Sequence, residues 1–252
     1  MNIYFFASHP SSQTCLHLAF LSLLTASCPH QLIITMSTPK TKLTVLISGS
    51  GSNLQALIDA CGTPALQNAE IIRVVSNKKA AFGLERAKKA QIPTAYHNLL
   101  EYKKRFAHVE KARSEYDHDL AALVLADKPD LVVCAGWMHI LAPTFLEPLK
   151  KAGVPVINLH PALPGQFNGA HAIDEAYKAF QEGKIEKTGI MIHYVILEVD
   201  MGEPIVTKEI PMRKGESQDD LETRIHENEW KLIVQGTQKA IDTLQSSRQT
   251  GQ

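Results

Sequence analysis

Leu43-Thr44-Val45-Leu46-Ile47-Ser48-Gly49-Ser50-Gly51-Ser52-Asn53-Leu54 reads as a strand, a glycine-rich turn and the start of a helix. The apolar run from Leu43 to Ile47 does not alternate with polar residues, so it suits a strand buried on both faces, as in a parallel sheet. The turn lies where backbone N–H groups and a helix N-terminus can hold a phosphate, and Ser52 or Asn53 can cap that helix. Leu54 stands where a dinucleotide fingerprint needs its third glycine. The next strand ends at Ser76-Asn77-Lys78, which has no acid for a ribose hydroxyl. No Gly-Lys-Ser or Gly-Lys-Thr follows the turn. The loop is therefore read as a monophosphate site, with a bare tight turn using glycine for positive φ as the alternative.

Strand and helix patterns alternate on either side of that segment. A helix runs from about Asn53 to Cys61, a strand from Ile71 to Val75, a helix from Ala81 to Ala90 and a short strand from Pro93 to Tyr96. One long helical stretch is expected over 101–126. Leu131 to Ala135 is a central strand, Pro143 to Lys150 a short helix and Val156 to Leu159 the next strand. The order implies an α/β fold with a doubly wound, mostly parallel sheet and right-handed crossovers. In the last third a helix near Ala172–Gln181 precedes two strands, Gly189–Leu197 and Pro204–Ile210, expected to add antiparallel pairing. Ser217-Gln218-Asp219-Asp220 is a capping-box-like start for a final helix to about Leu244. The domain is drawn at 41–246, with an extension at 1–40 and a polar tail at 247–252.

Composition excludes several classes. The 252 residues are 44% apolar, enough for a sizeable core, and carry 26 basic and 26 acidic residues. No basic stripe interleaved with aromatics points to nucleic acid. Cysteines 15, 28, 61 and 134 form no Cys-x-x-Cys pair, a reduced, cytoplasmic pattern. His226-Glu227-Asn228-Glu229 lacks the second histidine of a zinc helix, so no metal is expected. The first 35 residues contain no Lys, Arg, Asp or Glu. Their apolar run, Leu16 to Leu24, is too short to span a bilayer and has no basic flank for a secretion signal. Met36 reads as an alternative start, which would make 1–40 an upstream or disordered extension outside the fold. Small-molecule substrates are expected, with neither nucleic acid nor membrane as partner, in a monomer or homodimer.

Asn158-Leu159-His160-Pro161 carries the chemistry. Residues two apart on a strand share a face, so the amide and the imidazole point the same way. Pro161 lacks an N–H and ends the pairing. Ligands of open α/β sheets bind outside the carboxyl ends of strands. A neutral donor beside a titratable ring suits charge that develops during a reaction. Taken alone, the pair reads rather as a turn asparagine and a satisfied core histidine; the rest of the chain turns that reading.

Taken together, the segments 45–60, 74–90, 130–143, 156–165 and 193–206 resemble the glycinamide ribonucleotide transformylase (phosphoribosylglycinamide formyltransferase) family, in that family's order and over nearly all of 43–245. The resemblance implies transfer of a formyl group from 10-formyltetrahydrofolate to the amine of glycinamide ribonucleotide, in purine synthesis. It places Asp200 beside Asn158 and His160, where a carboxylate is expected to keep His160 charged. Asn158 and the imidazolium would then hold a tetrahedral oxyanion. Gly51, Ser52 and Asn53 match the phosphate and ribose end of the nucleotide site, with Glu229 at the ribose and His226 near the phosphate. Met138, His139, Ile140 and Leu141 match the segment that meets the pterin with its backbone, beside Asn158. Arg113 matches a folate-contacting arginine, and His171 a histidine near the site.

The family often has arginine where His139 stands, the stretch 101–114 is lengthened, and the loops after His160 and Asp200 differ from the common form. His193, on an apolar strand, is read as structural. Two other readings stay open: another folate-dependent formyl enzyme, either a formyltetrahydrofolate hydrolase or a transferase for a different amine, or a non-catalytic nucleotide- or folate-binding protein.

Overall fold

β1 (Thr41–Ile47) is hydrogen-bonded on both edges, to β2 (Ala69–Ser76) and to β4 (Leu131–Cys134), and is parallel to each. These are residues of a computed structural model that describes 39–250. The expectations for residues 1–38, with Cys15 and Cys28, lie outside the described residues. β3 (Thr94–Tyr96) pairs in parallel outside β2, and β5 (Val156–His160) in parallel outside β4. β6 (Lys187–Tyr194) and β7 (Pro204–Pro211) then add antiparallel. The sheet order is β3-β2-β1-β4-β5-β6-β7. The chain winds outward from β1 in one direction and returns to wind outward from β4 in the other. The crevice beyond the ends of β1 and β4 is thus the topological switch point, where α/β sheets bind ligands.

Alternating side chains divide the core into two layers. Leu43, Val45 and Ile47 of β1 face α1 (Ser52–Ala60), α2 (Phe82–Lys89) and α7 (Gln218–Thr250). Leu46 faces α4 (Val109–Ala126) and α5 (Pro143–Lys151) with Val132, Cys134 and Val156. α7 buries a stripe through Leu221, Ile225, Leu232, Ile233 and Ile241, the spacing of one helix face. Glu229 falls on that stripe, four residues after Ile225, and is only 5% exposed. Ser217 caps α7: its hydroxyl accepts the Asp220 N–H at 3.1 Å and donates to the Asp220 carboxylate at 2.7 Å. The helix continues to Thr250, past the expected end near Leu244.

The single helix expected over 101–126 is two, α3 (Leu99–Arg105) and α4, with Phe106 in extended backbone between them. On one straight helix Tyr102 and Tyr116 would stand about 21 Å apart. Their ring centroids are 5.5 Å apart. The break lets both rings enter one aromatic cluster with His97, which stacks on Tyr116 at 4.4 Å. α6 (Ala172–Gln181) has the bounds the sequence indicates, with His171 at its N-cap position.

Candidate active site

The turn after β1 is shaped by α2. Gly49 accepts the Gly83 N–H at 3.1 Å, and Ser50 accepts the Arg86 guanidinium at 2.9 Å. Gly51 has φ 72°, and a Cβ there would meet the Gly83 Cα at 2.5 Å. Gly51 itself is the N-cap of α1, and no side chain caps that helix. The expectation that Ser52 or Asn53 would do so is corrected, because both stand inside the helix, after the cap position, and the Asn53 side chain turns toward α7. It donates to Glu229 on α7 at 3.0 Å. The first backbone N–H groups of α1 therefore remain without a capping side chain at the cleft, and no acid stands in that first turn. Such an end suits an anion. Burial raises the Glu229 carboxyl above its ordinary range, against the Asn53 hydrogen bond and the nearby His226, which lower it.

Asn158 and His160, at the end of β5, meet Asp200 from the loop between β6 and β7. Nδ1 of His160 is 3.4 Å from Oδ2 of Asp200, and Nδ2 of Asn158 is 3.5 Å from its Oδ1. The Gly169 N–H donates to Asp200 at 2.8 Å. Burial would raise the Asp200 carboxyl, but His193, the Gly169 N–H and His160 outweigh it, and its pKa is lowered. Asp200 stays ionised. His160 shows the opposite balance. Burial pulls it below its ordinary value, while Asp200 and the Phe167 carbonyl pull it back only in part. The expectation that Asp200 keeps His160 charged is therefore corrected for the free protein, because desolvation exceeds the attraction.

His193 belongs to this cluster and was not expected there. It pairs with Asn158 across β5 and β6, is 2% exposed, and donates from Nδ1 to the Tyr194 carbonyl at 3.0 Å. A carbonyl only accepts, so Nδ1 carries the hydrogen of that contact. Nε2 faces both the Asn158 amide nitrogen at 3.2 Å and Oδ1 of Asp200 at 3.5 Å, which holds the amide in place at the cleft. The arrangement leaves no room behind it: a Cβ at Gly202 would meet the Tyr194 carbonyl oxygen at 1.6 Å. The only sequence signal for His193 was a polar residue on an apolar strand, and the register that pairs it with Asn158 is a property of the fold.

One cleft of about 900 Å³ contains the glycine-rich loop, the Asn158–His160–Asp200 cluster and the segment after β4. Met138 and Ile140 are 66% and 56% exposed and form an apolar wall with Ile196, Leu197 and Val199. His139 and Leu141 pack inward instead. Arg113 reaches the wall from α4 and donates to the Ile140 carbonyl at 3.3 Å. His226, His171 and Glu229 line the side of the cleft beside the glycine-rich loop, and so does Lys78. Ser48 ties the two ends together. Its N–H donates to the Gly136 carbonyl at 3.0 Å and its Oγ accepts the Met138 N–H at 2.7 Å. Among the described residues no helix is long and apolar enough to cross a membrane.

Residues 41–237 match the family described as formyl transferase. The chain is 52% identical over 200 residues to a phosphoribosylglycinamide formyltransferase of Schizosaccharomyces pombe, covering 79% of this chain and 96% of that one. It is 48% identical over 212 residues to the enzyme of the same name from Saccharomyces cerevisiae, covering 81% and 98%. A crystal structure of phosphoribosylglycinamide formyltransferase from Campylobacter jejuni superposes with a TM-score of 0.69 at 32% identity, over 81% of this chain and all of that one. With identity of this extent and nearly whole relatives covered, the chain belongs to the phosphoribosylglycinamide formyltransferase family.

Proposed function

We propose that this protein transfers the formyl group of 10-formyltetrahydrofolate to the primary amine of glycinamide ribonucleotide, a step of purine synthesis. The observation that carries the reading is the position of Asn158, His160 and Asp200 in one cleft, with an open helix N-terminus at one end and an exposed apolar wall at the other. A phosphorylated amine fits the first end and a pterin the second. The pterin fit rests on apolar side chains at 138 and 140 and on backbone groups of the same segment. The unpaired thiols Cys61 and Cys134 suit a reducing cytoplasm.

In this reading the amine nitrogen attacks the formyl carbon, a C–N bond forms, and the carbonyl oxygen gains negative charge. Asn158 donates to that oxygen from its amide nitrogen, giving up its long 3.5 Å contact with Asp200. His160 starts neutral, with Nε2 donating to the Phe167 carbonyl at 3.0 Å and Nδ1 toward Asp200. Nδ1 accepts the proton released by the attacking nitrogen, and Asp200 stabilises the resulting imidazolium. The bond to the folate nitrogen then breaks, and the proton passes to that nitrogen. Glu229 and Asn53 receive the ribose hydroxyls, and the first turn of α1 receives the phosphate.

The test is turnover with both substrates. Release of tetrahydrofolate should require glycinamide ribonucleotide and should be matched by formylated product. Release that ignores the nucleotide would replace this reading with a hydrolase, and binding without release would replace it with a carrier.

A further inference from the structure

His139 stands in the segment that faces the pterin, yet its side chain is only 6% exposed. The imidazole turns back onto α4 and places Nε2 2.9 and 3.1 Å from the two oxygens of Asp117, which is fully buried. Tyr116 meets the ring edge-on at 4.9 Å and Trp137 at 6.2 Å, closing the space around it. Asp117 also accepts the Ala142 N–H at 3.2 Å. The backbone on either side is tied as well, at Met138 by Ser48 and at Ile140 by Arg113. No strand ladder covers these residues. Side-chain ties therefore set where the peptide groups of 138–141 point.

We propose that the His139–Asp117 pair is a clamp that positions the 138–141 backbone for the folate, so that His139 acts through Asp117 rather than by touching the pterin. The inference rests on the folate reading of this cleft. Backbone recognition works only where the peptide groups are held in place, because hydrogen bonds weaken steeply with misalignment. A segment tied at 138, 140 and 142 and anchored through the side chain of 139 meets that need. Removing either partner leaves the other buried and poorly satisfied, and the segment is then free to relax outward. An arginine at 139 is not required for such a clamp, since the imidazole already reaches Asp117. His139 is thus a positioning residue.

Steady-state kinetics with each substrate varied separately test this, on Asp117→Asn, His139→Ala and their combination. Each single change is expected to raise the KM for 10-formyltetrahydrofolate about tenfold. The KM for the nucleotide should stay within about twofold and kcat within about threefold. The double variant should be no worse than the worse single one, because both remove the same pair. His139→Gln keeps a donor for Asp117 and is the variant to rely on if Asp117→Asn does not fold. Its rise in folate KM should be clearly smaller than that of His139→Ala. Equal rises in those two, or a rise in His139→Ala with none in Asp117→Asn, would overturn the clamp. So would parallel losses for both substrates with a lowered melting temperature, which would mark the pair as structural only. Wild-type protein that does not use formyl folate at all would instead remove the functional reading beneath it.

Discussion

Oδ2 of Asp200 lies 3.4 Å from Nδ1 of His160, while Nε2 of the same ring donates to the Phe167 carbonyl at 3.0 Å. Both residues that grip the ring do so from left-handed backbone, Phe167 at φ 47° and Asp200 at φ 56°. That region costs a non-glycine residue roughly 1–2 kcal/mol. The loops after β5 and β6 therefore hold their grip against local preference, a kind of strain that concentrates at functional sites. Two acceptors face two nitrogens, so the ring has a place prepared for a second proton. Burial is what withholds it in the free protein.

This balance predicts the acid side of the pH profile. Burial sets His160 below its ordinary 6.5, and Asp200 and Phe167 oppose that shift. With the neutral ring as proton acceptor in the proposed mechanism, kcat/KM for the nucleotide should fall as pH drops through the lowered His160 value. Asp200→Asn removes a charge that raises the ring's pKa. Its acid limb should therefore lie at still lower pH than in the wild type. Its kcat should fall about 100-fold, because the imidazolium loses its counter-charge. Paired pH series of the two proteins measure this. An acid limb that stays put or moves upward in Asp200→Asn would set the pairing aside.

Asn158 should matter for rate far more than for folding. It is half-buried and bonded through Nδ2 to His193. Asn158→Ala should lower kcat by about 100-fold or more, the usual effect of losing one oxyanion donor, with a small change in thermal midpoint. His193→Ala leaves the amide in place but lets it rotate. Its kcat should fall about tenfold with both KM values nearly unchanged. A His193→Ala enzyme with unaltered kcat would show that the amide is oriented by something else.

The sequence showed most of the fold and less of the site, for physical reasons that differ by residue. Leu43–Ile47 and Leu131–Ala135 were legible because a buried parallel strand must be apolar on both faces, and their flanking helices are amphipathic. The break between α3 and α4 was not, because it serves a contact between Tyr102 and Tyr116 that no local pattern encodes. Asn158 and His160 share a strand face and could be paired from spacing alone. Asp200 joined them only through family resemblance. His193 needed the β5–β6 register, and the inward turn of His139 needed Asp117 on another element. The sequence pattern overstates the charge of His160, because a nearby carboxylate is visible in it and the depth of burial is not.

Gly51 makes a separate prediction about the proposed nucleotide end. Its φ of 72° already disfavours any side chain, and a Cβ would press on the Gly83 backbone at 2.5 Å. Backbone cannot swing aside as a flexible side chain can, so Gly51→Ala must shift the turn or α2. The Gly49–Gly83 hydrogen bond and the first N–H groups of α1 move with it. The KM for the nucleotide should rise at least about tenfold while that for the folate changes little. Isothermal titration with the nucleotide alone gives the same comparison without turnover. Equal losses for both substrates would mean that the turn supports the whole cleft rather than its phosphate end.

Glu229 should trade stability for binding. Burial raises its pKa in the folded chain above the unfolded value of 4.5, with Asn53 offsetting only part. The folded state then holds the proton more tightly than the unfolded state does. Stability from this group is fully present below 4.5 and is lost as pH rises through the raised folded value. At neutral pH the carboxylate is therefore a burden on the fold. Glu229→Gln keeps the shape, and its amide can turn an oxygen toward the Asn53 donor. The variant should melt higher than wild type at about pH 7.5, and the gap should close as pH falls below 4.5. Its KM for the nucleotide should rise about tenfold, because a neutral amide accepts the ribose hydroxyls less strongly than a carboxylate does. Melting curves across pH, read beside that KM, separate the two effects. A Glu229→Gln protein that is less stable than wild type at neutral pH would show that the charge is compensated in the fold, and that burial is not the dominant influence on this carboxyl.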